Sequence, residues 1–288
     1  MVEHHLAKVR VAGSNPVVRS IVRAVRLGIR LLFGAACAVA VTGCGRSAAT
    51  TDDPADDGPL VVAAASDLRD AFGELAATLR ESPVGEVSFV FGSSGMLREQ
   101  ILNGAPYDVY VSANVDFVDE VIAAGRTVSS EPTVYAIGGL AVVASDGREL
   151  VSVEQAVGTA KRIVIAQPRH APYGAAARRA LETLGLWNEV ESRIVYADNV
   201  ADAVRIVESG EVDVGIVARS LVIDEPHLIV DPALHDPLRQ AAVALTGDRR
   251  DRALAFVDAL RTESARGLLS RYGFVTDPAS IGAVAGGG

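Results

Sequence analysis

Apolar residues along this chain fall in short continuous runs, each followed by a small polar turn and then by apolar positions at helical spacing. Residues 60–65 (LVVAAA) are the first such run, the pattern of a buried strand. Ser66 and Asp67 follow, and then Leu68, Phe72, Leu75 and Leu79 recur three or four residues apart. This predicts a helix with Ser66 at its N-cap. Residues 87–91 (VSFVF) repeat the strand, Gly92-Ser93-Ser94-Gly95 repeat the turn, and Met96, Leu97 and Ile101 repeat the helix. Strand, turn and helix twice in succession predict βαβ units on a parallel sheet.

The alternation continues through most of the chain. Strands are expected at 107–112, 162–166, 192–196, 212–217 and 241–245, with one extended run over 135–144 (YAIGGLAVVA). Helices are expected at about 115–124, 175–184, 200–209 and 250–269, and a loop at 168–174. The fold class is therefore α/β. Two halves with Ser-, Gly- and Asn-rich turns at the strand ends predict two lobes and a ligand cleft between them, beyond the carboxyl ends of the strands. Lobe I is expected over 58–135 and 223–278, because the chain returns to it, and lobe II over 136–222. The residues after 278 (279–288, ending IGAVAGGG) read as a disordered tail.

The segment before residue 58 follows a different pattern. Arg19, Arg23, Arg26 and Arg30 precede a short apolar run, residues 31–44 (LLFGAACAVAVTGC). A basic flank, a short apolar stretch and small residues mark an export signal, too short to span a bilayer comfortably. Its end resembles a bacterial lipobox. That resemblance implies a signal peptide over 1–43, cleavage before Cys44, a lipid on Cys44 and an extracytoplasmic, membrane-anchored protein. Residues 44–57, small and acidic, read as a flexible tether. The chain has only two cysteines, Cys37 and Cys44, so the folded part carries no thiol, disulfide or Cys-bound metal.

Charge narrows the partners. The 288 residues carry 27 basic and 36 acidic side chains, a net of −9. Residues 1–43 hold six of the basic groups and one acid, so the remainder has 21 against 35, a net of −14. That argues against nucleic acid, which is bound through basic patches. A small anion stays open, because helix-start N–H groups can hold one without a cationic side chain.

Five segments in order resemble the periplasmic molybdate-binding proteins of ABC transporters, a branch of the two-lobed solute-binding family: 63–72 (AAASDLRDAF), 91–113 (FGSSGMLREQILNGAPYDVYVSA), 167–187 (QPRHAPYGAAARRALETLGLW), 197–217 (ADNVADAVRIVESGEVDVGIV) and 270–274 (SRYGF). The resemblance implies the type II periplasmic-binding-protein fold. It also implies a monomer that captures molybdate, and tungstate with it, and docks on a membrane permease. The implied ligands of the oxyanion are Ser66 and Ser94 from the first lobe, and Tyr173 and Val200, by main-chain N–H, from the second. They bind an oxyanion, not a bare metal cation. Ala218 stands where the family often has a tyrosine, and Tyr173 is the candidate to supply the missing hydroxyl from across the site. Asp67 would repel a dianion if it pointed in. It is expected to point out or to cap its own helix, with its N–H toward the ligand.

Two other classes compete. Another tetrahedral oxyanion, sulfate or phosphate, would suit the same donors. A serine hydrolase would need Gly-x-Ser-x-Gly, but Ser94 has Gly92 two before it and Met96 two after it, so the pattern fails. His170, His227 and His235 are scattered without metal-ligand spacing, and only His170 falls near the cleft loops. No catalytic residue and no cofactor are expected.

Overall fold

Two five-stranded sheets divide the chain over residues 58–285, the part that the computed structural model describes. The expected signal peptide 1–43, the tether 44–57 and Cys44 lie outside the described residues. In chain order the strands are β1 (Leu60–Ala65), β2 (Val87–Gly92), β3 (Val109–Ser112), β4 (Thr133–Gly138), β5 (Leu140–Ala144), β6 (Ile163–Ala166), β7 (Ile194–Ala197), β8 (Val214–Ala218), β9 (Leu228–Ile229) and β10 (Leu238–Ala244). The helices are α1 (Arg69–Leu79), α2 (Ser94–Leu102), α3 (Val115–Ala123), α4 (Val153–Thr159), α5 (Pro172–Thr183), α6 (Trp187–Val190), α7 (Val200–Glu208), α8 (Arg250–Ala259), α9 (Glu263–Arg271) and α10 (Pro278–Ala285).

Lobe I holds the sheet β2-β1-β3-β10-β4, and lobe II holds β7-β6-β8-β5-β9. Each has three parallel strands, joined through helical crossovers, and an antiparallel pair. β3, β6 and β8 are buried at every residue, as expected for parallel strands covered on both faces. In lobe I, Phe72 of α1 packs against Phe89 of β2 at 5.4 Å and edge-on to Phe256 of α8 at 6.0 Å. Those rings tie the returning C-terminal segment to the first sheet.

The expected lobe boundaries move by a few residues. The extended run 135–144 is two strands in different sheets. β4 pairs with β10 up to Gly138, and β5 starts at Leu140. Lobe I therefore runs to 138 instead of 135, and Gly139 is the crossing point. The return also comes later than 223, because β9 still pairs with β5 in lobe II. β4 and β10, the two strands next to the crossings, pair side by side with Gly138 opposite Leu238. The lobes thus hinge on two adjacent strands. The Gly138-Gly139 dipeptide is a breaker signal inside an otherwise uniform apolar run.

Three helical expectations also change. α5 begins at Pro172, so Tyr173 sits in its first turn and not in a loop. Proline there is favoured because the first helical N–H has no intrahelical partner. The expected helix 250–269 is two helices, and Thr262 caps the second by accepting the Ala265 N–H at 3.3 Å. Thr262→Ala should lower stability by about 1 kcal/mol, read as a shift in the urea midpoint at unchanged slope. The expected tail starts with α10, whose first turn is closed by the Asp277 carboxylate accepting the Ser280 N–H at 2.9 Å.

Candidate anion-binding site

Five strand ends converge on one small cavity between the lobes. Ser66 follows β1, Ser94 follows β2 and Ala113 follows β3. Tyr173 comes after β6, and Val200 after β7. All four residues expected to meet the oxyanion line this cavity. Parallel strands present their carboxyl ends on one edge, and the helix that follows each strand starts there.

Those helix starts are short of caps. Ala65, Ser93 and Ala171 precede the helical turn Ser66–Leu68, α2 and α5, and none of them bonds the new helix with its side chain. Beside the cavity wall, α3 is capped by Asn114, and away from the cavity α4 and α9 are capped by Ser152 and Thr262. These starts bring the positive end of the helix dipole to the cavity, although the Gly95 N–H of α2 is taken by the His170 carbonyl. α7 is capped by Asn199, whose side chain takes the Asp202 N–H and leaves that of Val200, at the first helical position.

The two serines are oriented for donation. Ser94 Oγ accepts the Ala113 N–H at 3.1 Å, and its carbonyl receives the buried Tyr110 hydroxyl at 2.7 Å. Ser66 Oγ accepts the Ala201 N–H of α7 from the opposite lobe at 3.4 Å. Among the hydrogen bonds of the described residues, neither hydroxyl donates. Each oxygen is thus held by an N–H while its own hydrogen remains for a ligand. Ser66 and Ser94 are 4 % and 1 % exposed.

Asp67 neither points out nor caps its helix. It is 1 % exposed, and its Oδ2 accepts the Tyr173 hydroxyl at 2.9 Å and the Gln240 amide at 2.8 Å. Its Oδ1 is buried without a partner. Burial pushes the carboxyl up to about 7, against the lowering effect of its hydrogen bonds to Tyr173, its own backbone and Gln240. Among the described residues no arginine, lysine or histidine pairs with it, so the neutral acid is the form that burial favours.

Tyr173 is corrected as well. Its hydroxyl is bonded to Asp67 and so is not a second-lobe donor to the ligand; what its place at the start of α5 offers is its main-chain N–H. The ring tip presses on the hinge, where a Cβ on Gly138 would stand 2.2 Å from Tyr173 Oη. No other residue type fits at Gly138 while Tyr173 is seated. Ala218 ends β8, fully buried, and does not line the cavity. Among the described residues, the cavity wall has no lysine or arginine, and Asp67 is its one carboxyl residue. Among the described residues, no three His, Cys, Asp or Glu side chains gather to hold a metal ion.

At the edge of the cavity the lobes are joined through His170. Its carbonyl accepts the Gly95 N–H at 2.9 Å and the Ser93 hydroxyl at 2.5 Å, and its Nδ1 lies 2.8 Å from the same Ser93 Oγ.

A model of the bacterial extracellular solute-binding proteins matches residues 60–275. The chain belongs to that family.

Among its relatives, the molybdate-binding protein ModA of Rhodobacter capsulatus is 31 % identical over 78 % of this chain and 91 % of its own length. The putative ABC transporter substrate-binding lipoprotein YvgL of Bacillus subtilis is 27 % identical over 82 % of this chain and 94 % of its own. In structure, the periplasmic molybdate-binding protein of Azotobacter vinelandii superimposes with a TM-score of 0.72 at 27 % identity, covering 76 % of this chain and 99 % of that one. The two lobes are thus the type II periplasmic-binding-protein fold. Two residues of this solute-binding protein's cleft escape the sequence pattern, Ser93 and Gln240, whereas His170 stands near the cleft as its place in the 168–174 loop implied. Ser93 reads as a turn residue beside Ser94, and Gln240 as an ordinary strand position. Only a glutamine facing the buried side of β10 hints at a polar partner there.

Proposed function

We propose that this solute-binding protein captures molybdate, and tungstate with it, outside the cytoplasmic membrane and delivers it to an ABC import permease. Cys44 carries the lipid that anchors it, and residues 44–57 are the tether. The protein binds and releases its ligand unchanged. The similarity to proteins named for molybdate, and to one named as a lipoprotein, supports this reading.

The observation that carries it is the pair of serine hydroxyls that accept main-chain N–H groups and, among the described residues, have no acceptor of their own. They face the cavity with uncapped helix starts and no cationic side chain. Such a shell is made of neutral donors. A fully deprotonated tetrahedral dianion offers only acceptors and satisfies every one of them. A protonated oxyanion such as monohydrogen phosphate carries a donor, which leaves a hydrogen bond unmade among donors.

Ser93 and His170 do not make a hydrolytic pair. With the Ser93 hydroxyl donating to the His170 carbonyl, the matching tautomer carries its hydrogen on Nδ1 and donates it to Ser93 Oγ. In that tautomer the ring nitrogen facing Ser93 is a donor and does not accept the serine proton.

Isothermal titration with molybdate, tungstate, sulfate and phosphate in turn tests the assignment. Stoichiometric binding of the first two, with the others silent, is expected. Heat from sulfate or phosphate with silence from molybdate would keep the fold and overturn the ligand.

A further inference from the structure

We propose that Ser93, Gly95 and His170 form a clasp that holds the two lobes shut and sets how fast the bound anion leaves. The proposal rests on the reading of the cavity as an oxyanion site, since release is what it governs.

Position is the first argument. Ser93 is the N-cap residue of α2, where a serine ordinarily bonds the N–H two or three residues ahead. Here it makes no such bond. Its hydroxyl instead reaches the other lobe, where it donates to the His170 carbonyl and accepts from His170 Nδ1. The helix gives up a local cap, and the cleft gains two bonds.

Close approach is the second. The Gly95 N–H donates to the same carbonyl at 2.9 Å. A Cβ at Gly95 would stand 2.8 Å from that carbonyl oxygen and 3.0 Å from His170 Cα and Cβ. The lobes can come this close only because residue 95 has no side chain. One carbonyl therefore takes two donors from lobe I, and the histidine ring adds a third bond on the same serine. All three form only when the lobes meet.

Geometry also separates the clasp from the anion ligands. Ser94 faces the cavity, whereas its neighbour Ser93 has both its donor and its acceptor capacity committed to His170. The clasp belongs to the closed state and is absent when a ligand enters an open cleft. Loss of it should raise the release rate and leave the association rate unchanged.

Stopped-flow kinetics on the full chain, with molybdate as the probe, tests this. Ser93→Ala should release about ten times faster, because two modest hydrogen bonds are lost. Gly95→Ala should release faster still, and X-ray scattering should find its ligand-bound form more open than the wild type. Ser93→Thr, which keeps the hydroxyl, should restore slow release. His170→Ala should add nothing to Ser93→Ala, because the ring bonds only the Ser93 oxygen. Wild-type release rates in both Ser93→Ala and Gly95→Ala would overturn the clasp. So would a loss that falls on association, or faster release with unchanged scattering of the bound forms. If the wild type binds sulfate or phosphate in place of molybdate, the ligand assignment fails, and the same rates measured with that anion decide the clasp.

Discussion

Replacing both Ser66 and Ser94 with alanine should weaken molybdate binding by a factor on the order of a thousand. Each hydroxyl is expected to donate one hydrogen bond to a charged oxygen in a site that excludes water. Such a bond contributes about 1.5–3 kcal/mol, or roughly ten- to a hundred-fold in affinity for each serine. Each single variant should show its share. Ser94→Ala leaves the Ala113 N–H without its acceptor, and Ser66→Ala does the same to the Ala201 N–H. Some loss of thermal stability should accompany the loss of affinity. Both hydroxyls are free on their donor side, so the affinity loss should far exceed the stability loss. Calorimetric titration beside thermal unfolding of the same variants separates the two. Unchanged affinity in the double variant would remove the serines from the site.

The second large effect is on pH. The Asp67 carboxyl titrates near 3.8 in the unfolded chain and at about 7 when buried in the fold. Between those values the folded protein holds a proton that the unfolded chain releases. Stability should therefore be full below about pH 4 and fall as pH rises through 7, by something on the order of 4 kcal/mol. Asp146, Asp213 and Asp277 work in the opposite sense. Backbone and side-chain hydrogen bonds hold them below the usual carboxylate range, so their contribution is present above about pH 4 and lost on acidification. The two effects occupy different pH windows. Asp67→Asn should flatten the profile between pH 4 and 7 and leave the acid limb alone. Denaturant midpoints of wild type and variant across pH 4–8 make the comparison, and parallel curves would show that Asp67 does not titrate in this range.

The same proton bears on the ligand. A dianion and an ionised Asp67 would share one small, water-poor cleft with no cation to separate them. With the carboxyl neutral, that repulsion disappears. Affinity should accordingly weaken as pH rises above 7, less so in Asp67→Asn. The expectation drawn from sequence, that the carboxylate turns outward, fails because Tyr173 and Gln240 offer it two buried donors. Those partners come from 106 and 173 residues away in the chain.

Much of this protein is legible in the order of its amino acids alone. Continuous apolar runs alternating with helical periodicity determine two α/β halves, because a strand buried on both faces takes apolar residues at nearly every position. The small polar turns at strand ends mark Ser66, Ser94 and Val200, because helix starts have free N–H groups wherever they occur. These properties are local, set within one strand, turn and helix. The tertiary structure alone decided how the pieces face one another. It cut the run at 135–144 between two sheets, since pairing partners, and not propensity, set where a strand changes sheet. It turned the Tyr173 hydroxyl toward Asp67 and away from the cavity, and it brought Ser93 and Gly95 against His170. Each of those contacts joins residues far apart in the chain. Its energy depends on burial and on the meeting of donor with acceptor, neither of which exists until the lobes pack.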